Sequence, residues 1–148
     1  MSLNRLFPVG LVTASTLLCF SLFGLKAQAQ SLYNPATLPS NDAITDVLSE
    51  DDIPTGQGGF ARDYRVALQT GDQVVIDLSS EDFDTIVTLI GEDGATVGEN
   101  DDGPDGSTNS LLFTRIEQSG QYTLRVRSFD EATGGSFSLK VTRLCPCN

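Results

Sequence analysis

Five residues in one short stretch could hold a hard cation. Asn100, Asp101, Asp102, Asp105 and Asn109 place oxygen donors within ten positions, and Gly103 and Gly106 let the chain wrap tightly between them. Calcium takes about six to eight oxygen ligands, so Asp101, Asp102, Asp105 and Asn109 are the candidate metal ligands and Ca2+ is the candidate cofactor. One loop supplies too few donors. Backbone carbonyls or a second loop would complete the shell, either Glu81-Asp82-Phe83-Asp84 or Glu50-Asp51-Asp52. The helix–loop–helix calcium pattern does not fit. Started at Asp101, it finds Asp105 and Gly106 in place, but Gly103 replaces one ligand and Leu112 stands where the bidentate acid belongs. The same residues have a second reading, an exposed turn in which Asp, Asn and Gly supply turn geometry.

Other reactive groups are few. Cys145-Pro146-Cys147 ends the sequence. In an oxidising compartment Cys145 and Cys147 could close a small strained disulfide or pair with another chain. Such a bridge would crosslink almost no chain, and two thiolates alone are an incomplete zinc site. Asp84, at a strand start, is expected to accept backbone N–H bonds at a loop corner. Arg125 and Arg127 share a strand face, near Arg65 or Lys140, and could grip an acidic polymer; the alternative is an ordinary solvated face. There is no histidine, which excludes serine–histidine and cysteine–histidine catalysis. Paired carboxylates could serve glycoside hydrolysis, but every acid sits in or beside a turn and no long cleft is implied. Lys140 points outward, where burial would not lower its pKa. No catalytic residue is therefore assigned, and the chain is expected not to be an enzyme.

The elements that carry these loops alternate with a period of two. Tyr64, Val66 and Leu68 alternate with Arg65 and Ala67, and Val74, Ile76 and Leu78 with Val75 and Asp77. The stretch from Phe83 to Ile90 is apolar on both faces and reads as a central strand. Short strands are expected over 96–99 and 111–117. Tyr122, Leu124 and Val126 then alternate with Thr123, Arg125 and Arg127, and Phe137, Leu139 and Val141 with Ser138 and Lys140. Turns recur roughly every 8–12 residues, which predicts an all-β, antiparallel sandwich of seven to eight strands. Each strand hides one face, so two sheets must meet. Tyr64, Tyr122 and Phe137 fall on the hidden side, which leaves no exposed aromatic row for a carbohydrate.

The ends of the chain and its charge bound the setting. Residues 1–29 carry Arg5, an uncharged run from Leu6 to Leu25, and Ala27-Gln28-Ala29, the small-residue signature of a signal peptide cut before Gln30. An uncleaved anchor is the rival, since about 20 apolar residues span a bilayer, but Pro8, Gly10 and several hydroxyls dilute the run. Residues 30–43 read as a polar spacer, 44–144 as the sandwich and 145–148 as the Cys-Pro-Cys tail. The 148 residues carry nine basic and twenty acidic side chains, a net charge of −11. Such acidity repels phosphate backbones and anionic headgroups, so neither nucleic acid nor, after cleavage, membrane is an expected partner. The destination is expected to be secreted or periplasmic.

The stretch from Ile44 to Leu144 resembles the bacterial pre-peptidase C-terminal domain family. The matching features run in the family's order. They are Phe83-Asp84-Thr85, then Leu89 and Gly94, then Glu99-Asn100-Asp101-Asp102 before Asn109-Ser110, then Ser119-Gly120-Gln121-Tyr122-Thr123, and last Gly135-Ser136-Phe137-Ser138-Leu139. The resemblance implies a jelly-roll-like β-sandwich appended to exported proteins and not itself catalytic. Some relatives bind collagen or other insoluble polymers, and some bind calcium. No peptidase domain is expected ahead of the module here, unlike the family's usual context. The expected function is an exported binding or interaction module, calcium-braced, for a polymer, a surface component or a partner protein. The alternative is a structural or secretion-assisting module without a specific ligand.

Overall fold

The computed structural model describes residues 33–39, 43–56, 58–130 and 134–144. The signal-peptide reading of 1–29 and the Cys145–Cys147 reading lie outside those residues. Among the described residues ten strands follow one another: β1 Ala36–Thr37, β2 Ala43–Leu48, β3 Ile53–Pro54, β4 Phe60–Leu68, β5 Gln73–Ser79, β6 Thr85–Ile90, β7 Thr96–Asn100, β8 Ser110–Arg115, β9 Gly120–Ser128 and β10 Gly135–Leu144. They form a sheet in the order β1-β4-β9-β6-β7, with β3 also on β4, and a second sheet in the order β2-β10-β5-β8. Of the consecutive strands, only β3–β4 and β6–β7 pair within one sheet; the other connections pass from one sheet to the other. Residues hidden on both sheets therefore come from alternating strands of the chain.

The alternation places the core. Tyr64, Val66 and Leu68 of β4, Leu124 and Val126 of β9, Ile76 and Leu78 of β5, and Phe137 and Leu139 of β10 are all buried in one cluster between the sheets. Burial of this kind contributes about 25 cal/mol per Å² of apolar surface and holds the two layers together. The strand total exceeds the expected seven to eight because β1 and β3 are two-residue pairings, too short to show a period. β1 lies within the segment read as a spacer. Ala36 and Thr37 pair in parallel with Tyr64 and Arg65, the Leu38 N–H bonds the Arg65 carbonyl at 2.9 Å, and the Leu38 side chain is buried in the core.

β6 is buried on both faces, as its composition predicts. One face meets the core. On the other, Ile86 stands opposite Arg127 and Thr88 opposite Arg125 across the β6–β9 ladder. Long arginine stems cover apolar surface while their heads stay polar, which accounts for an outer face that is buried yet carries charge.

Candidate functional site

The loop from 101 to 109 joins β7 to β8 and is tied down by its own polar groups. The Asn100 side-chain amide donates to the Asp102 and Leu111 carbonyls, both at 2.8 Å. Asn100 Oδ1 accepts the Asp101 N–H at 3.1 Å. Asp105 Oδ1 accepts the Ser107 N–H at 3.0 Å, and these bonds to Ser107 hold the Asp105 carboxyl below the usual carboxylate range. Asn109 Oδ1 accepts the Ser80 N–H at 3.0 Å, tying the loop to the end of β5. Two of the four candidate ligands, Asp105 and Asn109, thus make hydrogen bonds that shape the loop itself.

Asp101 and Asp102 have a different neighbour. Burial, then the negative charges of Asp130, Asp101 and Asp102, raise the Asp84 carboxyl above its ordinary value. Asp84 precedes β6, and Asp130 follows β9. The two are adjacent because the Phe129 N–H bonds the Asp84 carbonyl at 2.8 Å. Three loops therefore bring four acids to one end of the sandwich. Asp130 escaped the sequence reading because it sits in an ordinary-looking turn, 28 residues or more from the others along the chain. Among the described residues, no group of three or more Asp, Glu or Cys side chains is placed to hold a metal ion.

Of the expected helpers, Asp84 is brought to this end of the sandwich, while Asp52 and Asp82 are engaged elsewhere. Asp52 bonds Arg62 at 2.6 Å and accepts the Ser49 N–H at 2.9 Å. Asp82 accepts the Ser136 N–H at 2.7 Å. It is packed against Gly135, whose φ of 149° and lack of a side chain are both required, since a Cβ there would lie 2.4 Å from the Asp82 Cβ. The corner role expected of the Asp84 carboxylate thus belongs to Asp82, while Asp84 uses its main-chain carbonyl.

Crowded like charge predicts a measurable response. A carboxyl whose folded pKa is raised binds its proton more tightly in the folded state, so stability falls as pH rises through that titration and recovers as pH drops. Asp84→Asn is expected to raise stability at pH 7 by up to about 1 kcal/mol. The gain should vanish below about pH 3, where the wild-type carboxyl is protonated too, and shrink in about 1 M salt. Urea unfolding at the two pH values checks this; a variant less stable at pH 7 would contradict it.

The arginine face is a set of pairs. Asp63 and Arg125 sit opposite each other on β4 and β9, and Arg125 Nε and Nη2 donate to the two Asp63 oxygens, each at 2.8 Å. Arg127 reaches Glu99 at 3.2 Å, and Glu99 also accepts the Thr88 hydroxyl at 2.7 Å. Arg65 lies on this same sheet, but Lys140 lies on the other one. Much of the cationic character that could grip an acidic polymer is therefore neutralised within the sheet. The buried Asp63 went unnoticed in the sequence because polar residues alternating with apolar ones read as solvated.

A second network closes the gap between the sheets beside β2. Arg62 of β4 bonds Asp46 of β2 at 2.9 Å and Asp52 at 2.6 Å, and the Tyr64 hydroxyl donates to Asp46 at 2.8 Å. Burial, then the bond to the ionised Asp46, push the Tyr64 phenol above its ordinary range.

A groove of about 680 Å³ opens at the opposite end of β7 and β8 from the acidic loop. Its walls include Glu92 and Asp93 of the β6–β7 turn, Val97 of β7, Thr114 and Arg115 of β8, and Glu117 and Tyr122 around the β8–β9 turn.

Compared with known proteins, residues 61–128, the span from β4 to the end of β9, match the family model of the bacterial pre-peptidase C-terminal domain. No curated protein matches the chain. The pre-peptidase C-terminal domain of a collagenase from Bacillus anthracis is similar in structure, with a TM-score of 0.58 at 14% identity over 74% of this chain and 95% of that one. A periplasmic inhibitor of g-type lysozyme from Aeromonas hydrophila has a TM-score of 0.56 at 13% identity, covering 74% of this chain and 96% of its own. The corresponding Salmonella Typhimurium inhibitor has a TM-score of 0.50 at 15% identity, over 76% and 100% of the two chains. At these identities the likeness is one of fold.

Proposed function

Because residues 61–128 carry a bacterial pre-peptidase C-terminal domain, we propose that the chain is an exported, non-catalytic binding module for an extracellular or periplasmic polymer, surface component or partner protein. The observation that carries this reading is the family match itself, which spans the strands from β4 to β9 and every loop between them. Export is supported by the signal-peptide pattern of residues 1–29 and by the periplasmic setting of the lysozyme inhibitors that share the fold. The paired arginines of the sheet face favour a partner that is not a simple polyanion, since Arg125 and Arg127 already hold carboxylates.

Calcium is the narrower part of the proposal. What supports it is the gathering of Asp84, Asp101, Asp102 and Asp130, whose mutual repulsion a divalent cation would relieve. The described side chains do not converge into a ligand set, so Asp101 and Asp102, with Asp84 and Asp130, are the residues that would have to close on the ion.

One experiment addresses both parts. The exported chain is passed over collagen, insoluble polysaccharides and immobilised g-type lysozyme, in calcium and in chelator. Retention on at least one matrix is expected; retention on none would favour a structural or secretion-assisting module. In parallel, saturating calcium is expected to raise the melting temperature by roughly 10 °C over chelator. Equal melting temperatures would remove calcium and leave the binding reading standing.

A further inference from the structure

Among the described residues, β8 is an edge strand whose outer side is open and which pairs with β5 alone, Leu111 opposite Asp77, Leu112 opposite Ile76 and Phe113 opposite Val75. The direction of its backbone groups follows from two ends. At one end, the Leu111 N–H bonds the Asp102 carbonyl and the Leu111 carbonyl accepts from Asn100, so the Leu111 main chain faces away from β5. At the other, the Ile116 N–H bonds the Asp72 carbonyl and the Ile116 carbonyl accepts the Gly71 N–H, so Ile116 faces the β5 side. Main-chain direction alternates along a strand. The N–H and C=O groups of Phe113 and Arg115 therefore point to the free edge.

Edges of this kind are normally blunted by lysine, proline or a covering loop. The acidic loop covers β8 only as far as Leu111. Beyond it the edge is bordered by Phe113, 58% exposed, with half-buried Leu111 on the same outward face. On the inward side Thr114 borders the groove, which Arg115, outward like Phe113 in the alternation, meets at the end of β8. Glu92, Asp93 and Glu117 also line that groove, and among the described residues Arg115 is the one cation on its wall. Among the described residues, neither Glu92, Glu117 nor Arg115 makes a side-chain hydrogen bond or ion pair, while Asp93 bonds its own turn at Ala95.

We infer that the β8 edge accepts one extended, basic segment of a partner protein as an added strand. Its main chain would pair with Phe113 and Arg115. Strand addition takes affinity from main-chain bonds and specificity from alternate side chains. The inward side chains would be lysine or arginine, meeting Glu92 and Glu117 in the groove, and the outward ones apolar, covering Phe113 and Leu111. A second copy of this chain is a poor occupant. The inward residues of β8 are Leu112 and Thr114, and two copies each bring a net charge of −11.

The inference rests on the reading of the chain as a binding module but not on the acidic loop or calcium. The probe is a short fluorescent peptide alternating valine and lysine, tested against the full exported chain by anisotropy. Saturable binding is expected for this peptide, and none for its valine–glutamate counterpart or for a version N-methylated on the amides that would face β8. Phe113→Pro removes an N–H that β5 does not use, so the sheet can keep its ladder. That variant and the double variant Glu92→Gln, Glu117→Gln are each expected to weaken binding about tenfold or more; the double variant, which changes two side chains without a hydrogen bond or ion pair among the described residues, serves if proline prevents folding. Equal binding of the methylated peptide, or unchanged affinity of the double variant, would overturn the inference. Self-association that Phe113→Pro abolishes would overturn it in favour of a second copy. Matrix retention that survives both variants would sink this site and spare the binding module.

Discussion

Replacing Phe137 with alanine is expected to destabilise the sandwich by about 3–5 kcal/mol, a large part of the 5–15 kcal/mol that holds a domain of this size together. Phe137 is 2% exposed and lies on β10 of the four-stranded sheet. Its ring meets Tyr64 of the other sheet edge-on, centroids 6.3 Å apart at 74°, and Phe83 at 6.4 Å and 76°. Removing it takes away the ring that touches both neighbours across the interlayer gap. The cavity cannot readily collapse, because the Tyr64 hydroxyl is anchored on Asp46, itself held by Arg62. Urea unfolding should show the midpoint falling at a nearly constant slope. Phe137→Leu, which keeps most of the volume, should cost no more than about 1.5 kcal/mol. A loss for the alanine variant as small as for leucine would mean that the three rings do not pack as one unit.

Arg125→Ala is expected to cost about 2–4 kcal/mol by leaving the Asp63 carboxylate without its bidentate partner. The effect is asymmetric. The Asp63 side chain is 1% exposed and the Arg125 side chain 36%, so the arginine can regain water while the carboxylate cannot. Solvent screening on the arginine side keeps the figure below that of a fully buried pair. Changing Asp63 to asparagine in the Arg125→Ala background should therefore recover part of the loss, because it removes the stranded charge. A double-mutant cycle on the two residues measures the coupling. Additive losses would show that the pair is surface decoration.

The pair also shows where reading residues in order stops. Asp63 and Arg125 are 62 positions apart, and nothing in their local patterns joins them. Period-two alternation assigns Arg125 to the outward side of its strand, and that assignment is right. It does not reveal that outward on this sheet means roofed by arginine stems. The same limit applies to the acids. Asp101, Asp102, Asp105 and Asn109 form a visible cluster along the chain, yet Asp105 and Asn109 serve loop shape, while Asp130 joins Asp101, Asp102 and Asp84 from a distant turn. Asp82 and Asp84 look interchangeable in the string Glu81-Asp82-Phe83-Asp84. Only the backbone decides that Asp82 caps Ser136 and that Asp84 faces like charge.

The residues in order were enough for the all-β class, the inward and outward faces of the long strands and the inward set Tyr64, Tyr122 and Phe137, because side-chain direction alternates along any extended chain whatever it pairs with. They were also enough for the resemblance to the pre-peptidase C-terminal domain, whose family model matches residues 61–128. Which strands become neighbours was decided by the tertiary structure, because pairing depends on how consecutive strands cross between the sheets. From that followed the acidic loop end, the closed arginine pairs, the short β1 and β3, and the open edge of β8. The oxygen donors of residues 100–109 were legible as a composition. Whether they face a cation, one another or their own backbone is a matter of distance, and distances between loops exist only in the folded chain.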